Sequence, residues 1–129
     1  QRQMCIRDRH YGNPEAARDL VRKAMLLNPR YPAAYASVLG QIHYFLGEYE
    51  LAAVRLREAI ERNVNLLTPH VFLIAALGKL NRQEELDWAA SQLKTMAADF
   101  DSNQLAGMLP IQDANMLADM RQQLQRAGL

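Results

Sequence analysis

Cysteine is all but missing from this chain of 129 residues: Cys5 stands alone, so no internal disulfide can form. Glycine is sparse, with six residues, and none of it forms a phosphate-cradling loop. No Ser-His-Asp or Cys-His set of a nucleophilic enzyme can be assembled. No apolar run reaches the ~20 residues of a membrane-spanning helix. The longest uncharged stretches, 31–47 and 63–78, are interrupted by prolines and amides. Neither sign of charge dominates: 15 Lys and Arg stand against 14 Asp and Glu, a net +1 that recommends neither nucleic acid nor an acidic arm. No charged start, apolar block and small-residue cleavage site opens the chain. A soluble, cytoplasmic protein without cofactor or metal is the expectation.

What is present is a repeat. Leu39-Gly40, Leu46-Gly47, Ala52, Ala59 and Asn63 mark its central copy. A shift of 35 positions back gives Gly12, Ala17, Ala24 and Asn28 for Gly47, Ala52, Ala59 and Asn63. A shift of 34 forward gives Leu73, Leu80, Glu84 and Leu93 for Leu39, Leu46, Glu50 and Ala59. Small and apolar residues at helical spacing, recurring with that period, predict stacked helix pairs. Such arrays offer a surface to a partner.

The first residues stand outside the repeat. Arg2-Gln3-Met4-Cys5-Ile6-Arg7-Asp8-Arg9 resembles the translation of a transposase mosaic-end adapter used in sequencing libraries. On that reading residues 1–10 are an artefact to be set aside. They carry three arginines and one aspartate, so the remainder drops from the overall +1 to −1. The natural protein would then continue upstream, with this chain its C-terminal fragment.

Local signals set the expected helices. Asn13-Pro14-Glu15 starts one: an amide cap, proline in the first turn, then an acid at the positive end. It runs over 13–27 with Ala17, Leu20, Val21 and Ala24 as its apolar stripe, and Asn28-Pro29 closes it. Pro32 opens the next, to about Leu46, with Tyr35, Leu39, Ile42, His43 and Leu46 on one side. Gly40 costs that helix ~1 kcal/mol relative to alanine, which implies a close neighbouring backbone. Gly47 should end it at positive φ. A helix over 49–62 pairs back, turning Ala52, Ala53, Leu56, Ala59 and Ile60 inward. Thr68-Pro69 reads as a cap plus proline, starting a helix to Leu80 that carries Leu73, Ile74, Leu77 and Leu80. Asn81 replaces the turn glycine, tolerating positive φ. The helix over 82–97 buries Leu86, Ala89, Ala90 and Leu93. Asp101 or Ser102 then caps a short helix to Met108, stopped by Pro110. Asp113 caps a last one, with Leu117, Met120 and Leu124 inward and Asp119, Arg121, Gln122, Gln125 and Arg126 outward.

Leu39-Gly40, Gly47-Glu48-Tyr49, Ala52, Leu56, Ala59 and Asn63 together resemble the tetratricopeptide repeat. The resemblance implies an all-α fold: an antiparallel helix-hairpin solenoid with C-terminal capping helices. It divides the chain into a half repeat (11–31), a full repeat (32–66), a degenerate repeat (67–100) and capping helices (101–129). The third repeat departs from the pattern, with Ile74, Asn81, Leu86 and Leu93 at its small-residue positions. More narrowly, 28–31, 39–47, 69–80 and the tail 109–129 resemble the C-terminal repeats of bacterial class III adenylate/guanylate cyclases. That resemblance implies a regulatory tail of a bacterial cyclase, with no catalytic residue inside this fragment. Similar repeats also follow winged-helix transcription regulators.

The function expected is a non-catalytic protein–protein interaction scaffold. By register its concave face is lined by Ala34, Ser37, Gln41, Tyr44 and Phe45, then Thr68, Val71, Ala75, Gly78 and Lys79. One lysine does not make a clamp for acidic tails, so a short apolar or aromatic segment is the expected ligand. A helix from the parent's own upstream domain is one such segment. The truncated half repeat is expected to fray or self-associate. His43 and His70 lie 27 apart, out of metal-ligand register, and read as packed core histidines. Asp99-Phe100-Asp101-Ser102-Asn103 imitates a calcium loop, but Gln104 and Pro110 stand where glycine and glutamate are needed. Trp88 reads as cover for the junction with the C-terminal helices, with contact to a ligand as the alternative.

Overall fold

An amide cap and a proline start the first helix as the sequence dictates. Asn13 accepts a hydrogen bond from the Ala16 amide at 3.2 Å, and Pro14 fills a first-turn position whose N–H has no helical acceptor. The structure, a computed structural model, describes residues 13–105 and 114–129. The adapter-like segment, the stop at Pro110 and the Asp113 cap lie outside them. Regular structure among the described residues is entirely helical: α1 (Pro14–Leu27), α2 (Ala33–Phe45), α3 (Tyr49–Arg62), α4 (Leu67–Lys79), α5 (Gln83–Met96), a 3₁₀ turn (Ser102–Gln104) and α6 (Ala114–Arg126). None of these helices is long and apolar enough to cross a membrane.

Two turns carry the expected left-handed residues. Gly47 adopts φ +78° and Asn81 φ 57°. At each, its own amide and the next one bond back into the helix: Gly47 N to Tyr44 O and Glu48 N to His43 O, then Asn81 N to Gly78 O and Arg82 N to Leu77 O. This pairing satisfies carbonyls that a helix end leaves open.

The packing order follows the chain. α2 contacts α1, α3 and α4, while α4 contacts α2, α3, α5 and α6. α2 against α3 is the broadest helix contact, and its alanines and glycine explain why. Ala52, Ala53, Leu56 and Ala59 are all fully buried. A Cβ built on Gly40 would lie 2.6 Å from Leu56 Cγ and 3.3 Å from the Leu56 backbone nitrogen. The close neighbour that Gly40 requires is thus a side chain first and a backbone second.

α4 is enclosed on every side, with each residue from Pro69 to Gly78 buried. Its sequence is apolar all round, which is the pattern of a central helix. It does not begin at Thr68. Leu66 takes the cap position without any side-chain bond, and the entry is shaped by neighbours instead. Asn63 Oδ1 accepts the Asn65 amide at 3.1 Å, and His70 Nε2 donates to the Val64 carbonyl at 2.9 Å. Pro69 falls in the first turn, where no helical acceptor exists for the N–H it lacks.

α1 buries Ala17, Val21 and Met25 but leaves Leu20 38% exposed. At 3.6 residues per turn Leu20 lies about 100° from the centre of that stripe, so it turns to the rim instead of joining the core. The loop after α1 is pinned to α3. Tyr31 donates to Glu58, and the Arg62 guanidinium lies 4.1 Å over the Tyr31 ring. The Glu58 bond raises the Tyr31 pKa. Burial pulls Glu58 upward, but hydrogen bonds from Tyr31 and Arg55 outweigh it and leave its pKa lowered.

Candidate functional site

The ten positions expected to line a concave groove do not form an open one. Tyr44, Val71, Ala75 and Gly78 are buried, as are Ser37 and Gln41, where Gln41 Nε2 donates to Ser37 Oγ at 3.2 Å. Thr68, Phe45 and Lys79 are half-buried, and Ala34 is exposed. The physical cause around Gly78 and Lys79 is α6, which packs on α4 there. Lys79 Nζ bonds Asp119 Oδ2 at 2.7 Å, and a Cβ on Gly78 would lie 2.3 Å from Gln123 Oε1. The Asp119 hydrogen bond raises the Lys79 pKa. Burial, reinforced by the Asp119 charge, drives Tyr44 far upward, so its phenol stays neutral. Tyr44 packs edge-on against Phe45, Tyr49 and Phe72. Asp119, read as part of an outer polar face, therefore faces inward to Lys79.

Trp88 is the second correction. Among the described residues it covers no C-terminal helix: α5 does not pack on α6, and Trp88 is 57% exposed. It forms one wall of a cleft of ≈ 190 Å³ lined also by Arg57, Leu73, Leu77, Glu84 and Glu85. The cleft exists because α3 and α5 each pack on α4 but not on one another. Leu73 and Leu77, both almost wholly buried, are its apolar floor. Its rim is a chain of alternating charges. Glu50 pairs with Arg82 at 2.5 Å, Arg82 with Glu85 at 3.7 Å, and Glu85 with Arg57 at 2.8 Å. The Glu50 bond holds Arg82 above its ordinary pKa. Each such exposed pair is weak alone, but linked pairs hold one another in place.

Sequence alone did not mark Arg57, Glu84 and Glu85 as site residues, and it placed Leu73 and Leu77 only in the core. One signal was present: Leu20, Val54 and Trp88 are spaced by 34, the repeat period, and all three are exposed large hydrophobics.

The histidines have structural partners. His43, buried, places Nδ1 2.8 Å from Glu48 Oε1, while Arg18 approaches the same oxygen at 3.7 Å. Among the described residues no group of three or more potential metal ligands converges. Burial lowers the His43 pKa below its ordinary 6.5, the Glu48 bond opposing only in part. The His43 bond in turn lowers Glu48 below 4.5. In the unfolded chain His43 takes up a proton as pH falls through 6.5, whereas the folded chain resists. The unfolded state binds more protons there, so this contribution is complete above the unfolded pKa and is lost as pH drops. Glu48 acts in the same direction at lower pH. The melting temperature is therefore expected to fall between about pH 7 and about pH 5. His43→Gln should melt lower at neutral pH but show a flatter profile, and identical slopes for the two proteins would contradict the assignment to His43.

Comparison with protein-family models, with curated proteins and with solved structures finds no match.

Proposed function

We propose that the chain is a non-catalytic protein-interaction scaffold of stacked helix hairpins of the tetratricopeptide kind, gripping its partner at the Trp88 cleft. The observation that carries this reading is the cleft's construction: two buried leucines as floor, an exposed tryptophan as wall, and ion pairs as rim. Hot spots of protein interfaces have this anatomy, an aromatic anchor and an apolar pocket ringed by polar groups. Size points the same way. Pockets for drug-sized ligands run about 300–1,000 Å³, so a cleft of ≈ 190 Å³ suits an aliphatic side chain carried on a partner helix. The packing of α6 on Gly78 and Lys79 and the exposure of Trp88 favour the α3–α5 side over the register groove as the docking face.

Trp88 is the single tryptophan, so its fluorescence reports this cleft alone. Peptides selected on the folded chain from a helical display library are expected to shift Trp88 emission to the blue saturably. They should lose about tenfold or more in affinity to Trp88→Ala. Selection that returns no binders, or only binders indifferent to Trp88, would remove the proposal.

A further inference from the structure

Four of the five charged side chains around the Trp88 cleft are engaged within the chain. Glu50, Arg82, Glu85 and Arg57 form one run of ion pairs. Glu84 also lines the cleft, but among the described residues it makes no ion pair or hydrogen bond. The rim thus holds three acids against two arginines, and the uncompensated negative charge is the Glu84 carboxylate.

Glu84 lies four residues before Trp88 on α5, so the two side chains are neighbours on one face of that helix. Trp88, more than half exposed, offers the aromatic face that attracts a cation most strongly. Leu73 and Leu77, four apart on α4 and almost wholly buried, supply the apolar floor. A purely aliphatic guest would fill that floor while taking water from the Glu84 carboxylate and returning no partner to it. An acidic guest would meet Glu84 and the electron-rich ring, and would have to draw Arg57 away from Glu85. A side chain with an apolar stem and a positive head satisfies floor, ring and carboxylate together. Lysine and arginine have that build, laying their methylenes on apolar surface and keeping the charge at its edge.

We infer that the cleft receives a basic side chain, lysine or arginine, of a partner protein, its stem on Leu73 and Leu77 and its charge between the Glu84 carboxylate and the Trp88 ring. This inference rests on the docking reading of the Trp88 cleft and names the chemistry of what docks there.

The probes are Trp88-dependent peptides selected on the folded whole chain from the helical library. An alanine scan of each peptide against wild type and Trp88→Ala finds its anchor, the position whose truncation costs nothing further once Trp88 is gone. That position is expected to hold lysine or arginine. Norleucine there keeps an aliphatic stem and removes the charge, and should weaken binding to wild type about three- to tenfold. Glu84→Gln, an isosteric change at an exposed position, should keep its helical circular dichroism. It should shrink the preference for the basic peptide over the norleucine peptide about threefold and leave the norleucine peptide's own affinity unchanged. Glu84→Lys should carry the change further, so that a glutamate anchor gains on the basic one. Anchors that are apolar, or a basic preference that survives intact in Glu84→Gln, would overturn the basic occupant and leave the docking face standing. Equal weakening of every peptide by Glu84→Gln would show that Glu84 acts through the fold of α5, and would equally overturn it. Selection that yields no Trp88-dependent binder removes the docking reading, and this inference with it.

Discussion

Leu56→Ala is expected to cost about 2–5 kcal/mol, the range for removing a large aliphatic side chain from a packed core. Total stability for a domain of this kind is about 5–15 kcal/mol, so the variant should be close to unfolding by urea titration. The site is severe because Leu56 is fully buried and enters the hairpin where α2 offers no side chain at all. Gly40→Ala makes the opposite error. Alanine would favour the helix by ~1 kcal/mol, but its Cβ would lie 2.6 Å and 2.7 Å from two Leu56 carbons. Leu56, enclosed on all sides, has nowhere to withdraw. Overpacking of this kind costs about 1–3 kcal/mol, so Gly40→Ala should destabilise on balance. The combination decides the mechanism. In the Leu56→Ala background the obstructing atoms are gone, and Gly40→Ala should turn stabilising. A double-mutant cycle measures that change of sign. Strictly additive effects would show that glycine is at position 40 for some reason other than Leu56.

Much of the helix layout was legible because its signals are local. Asn13-Pro14, Gly47 and Asn81 mark ends through chemistry that acts within a turn, and the structure places its boundaries and left-handed residues there. The inward face of α3 was legible because a 3.6-residue period needs no knowledge of the partner. What failed depended on distant segments. Thr68 looked like a cap, but the path into α4 is set by Asn63 and by the His70 bond to Val64. Leu20 fits an apolar stripe by type, yet the neighbouring α2 selects Ala17, Val21 and Met25. Trp88 and the groove positions Gly78 and Lys79 were misplaced for one shared reason. Their surroundings depend on where α6 lies, and periodicity does not say which earlier helix a later one will cover. α6 lies on α4 and does not pack on α5. That single placement buries the positions around Gly78 and exposes the tryptophan.

The same placement can be reversed by one substitution. Gly78→Val is expected to detach α6 while leaving the α2–α3 hairpin folded. A Cβ at 78 would approach Gln123 Oε1 to 2.3 Å, Cδ to 3.1 Å and Cβ to 3.2 Å. The amide end can swing away, but the Gln123 Cβ is fixed to the α6 backbone, and valine adds two methyl groups toward it. α6 buries Met120, Gln123 and Leu124, with Met116 and Leu117 packed partly buried beside them and Asp119 paired with Lys79. Full burial of Met120 and Leu124 is worth about 1.5–3 kcal/mol each before the entropy of ordering the helix is subtracted. A clash of about 1–3 kcal/mol is enough to tip such a balance. Amide hydrogen exchange of α6 should then approach unfolded rates while α3 stays slow. Gly78→Ala combined with Gln123→Ala should keep α6 protected, because only the 3.2 Å contact with the Gln123 Cβ remains. Detachment also has a positive signature: Val71 and Ala75, buried in the intact fold, join a dye-binding apolar face with the Tyr44 cluster. Slow exchange throughout α6 in Gly78→Val would mean that the Lys79–Asp119 pair and the Met116, Leu117, Met120 and Leu124 contacts hold this helix without the close approach at Gly78.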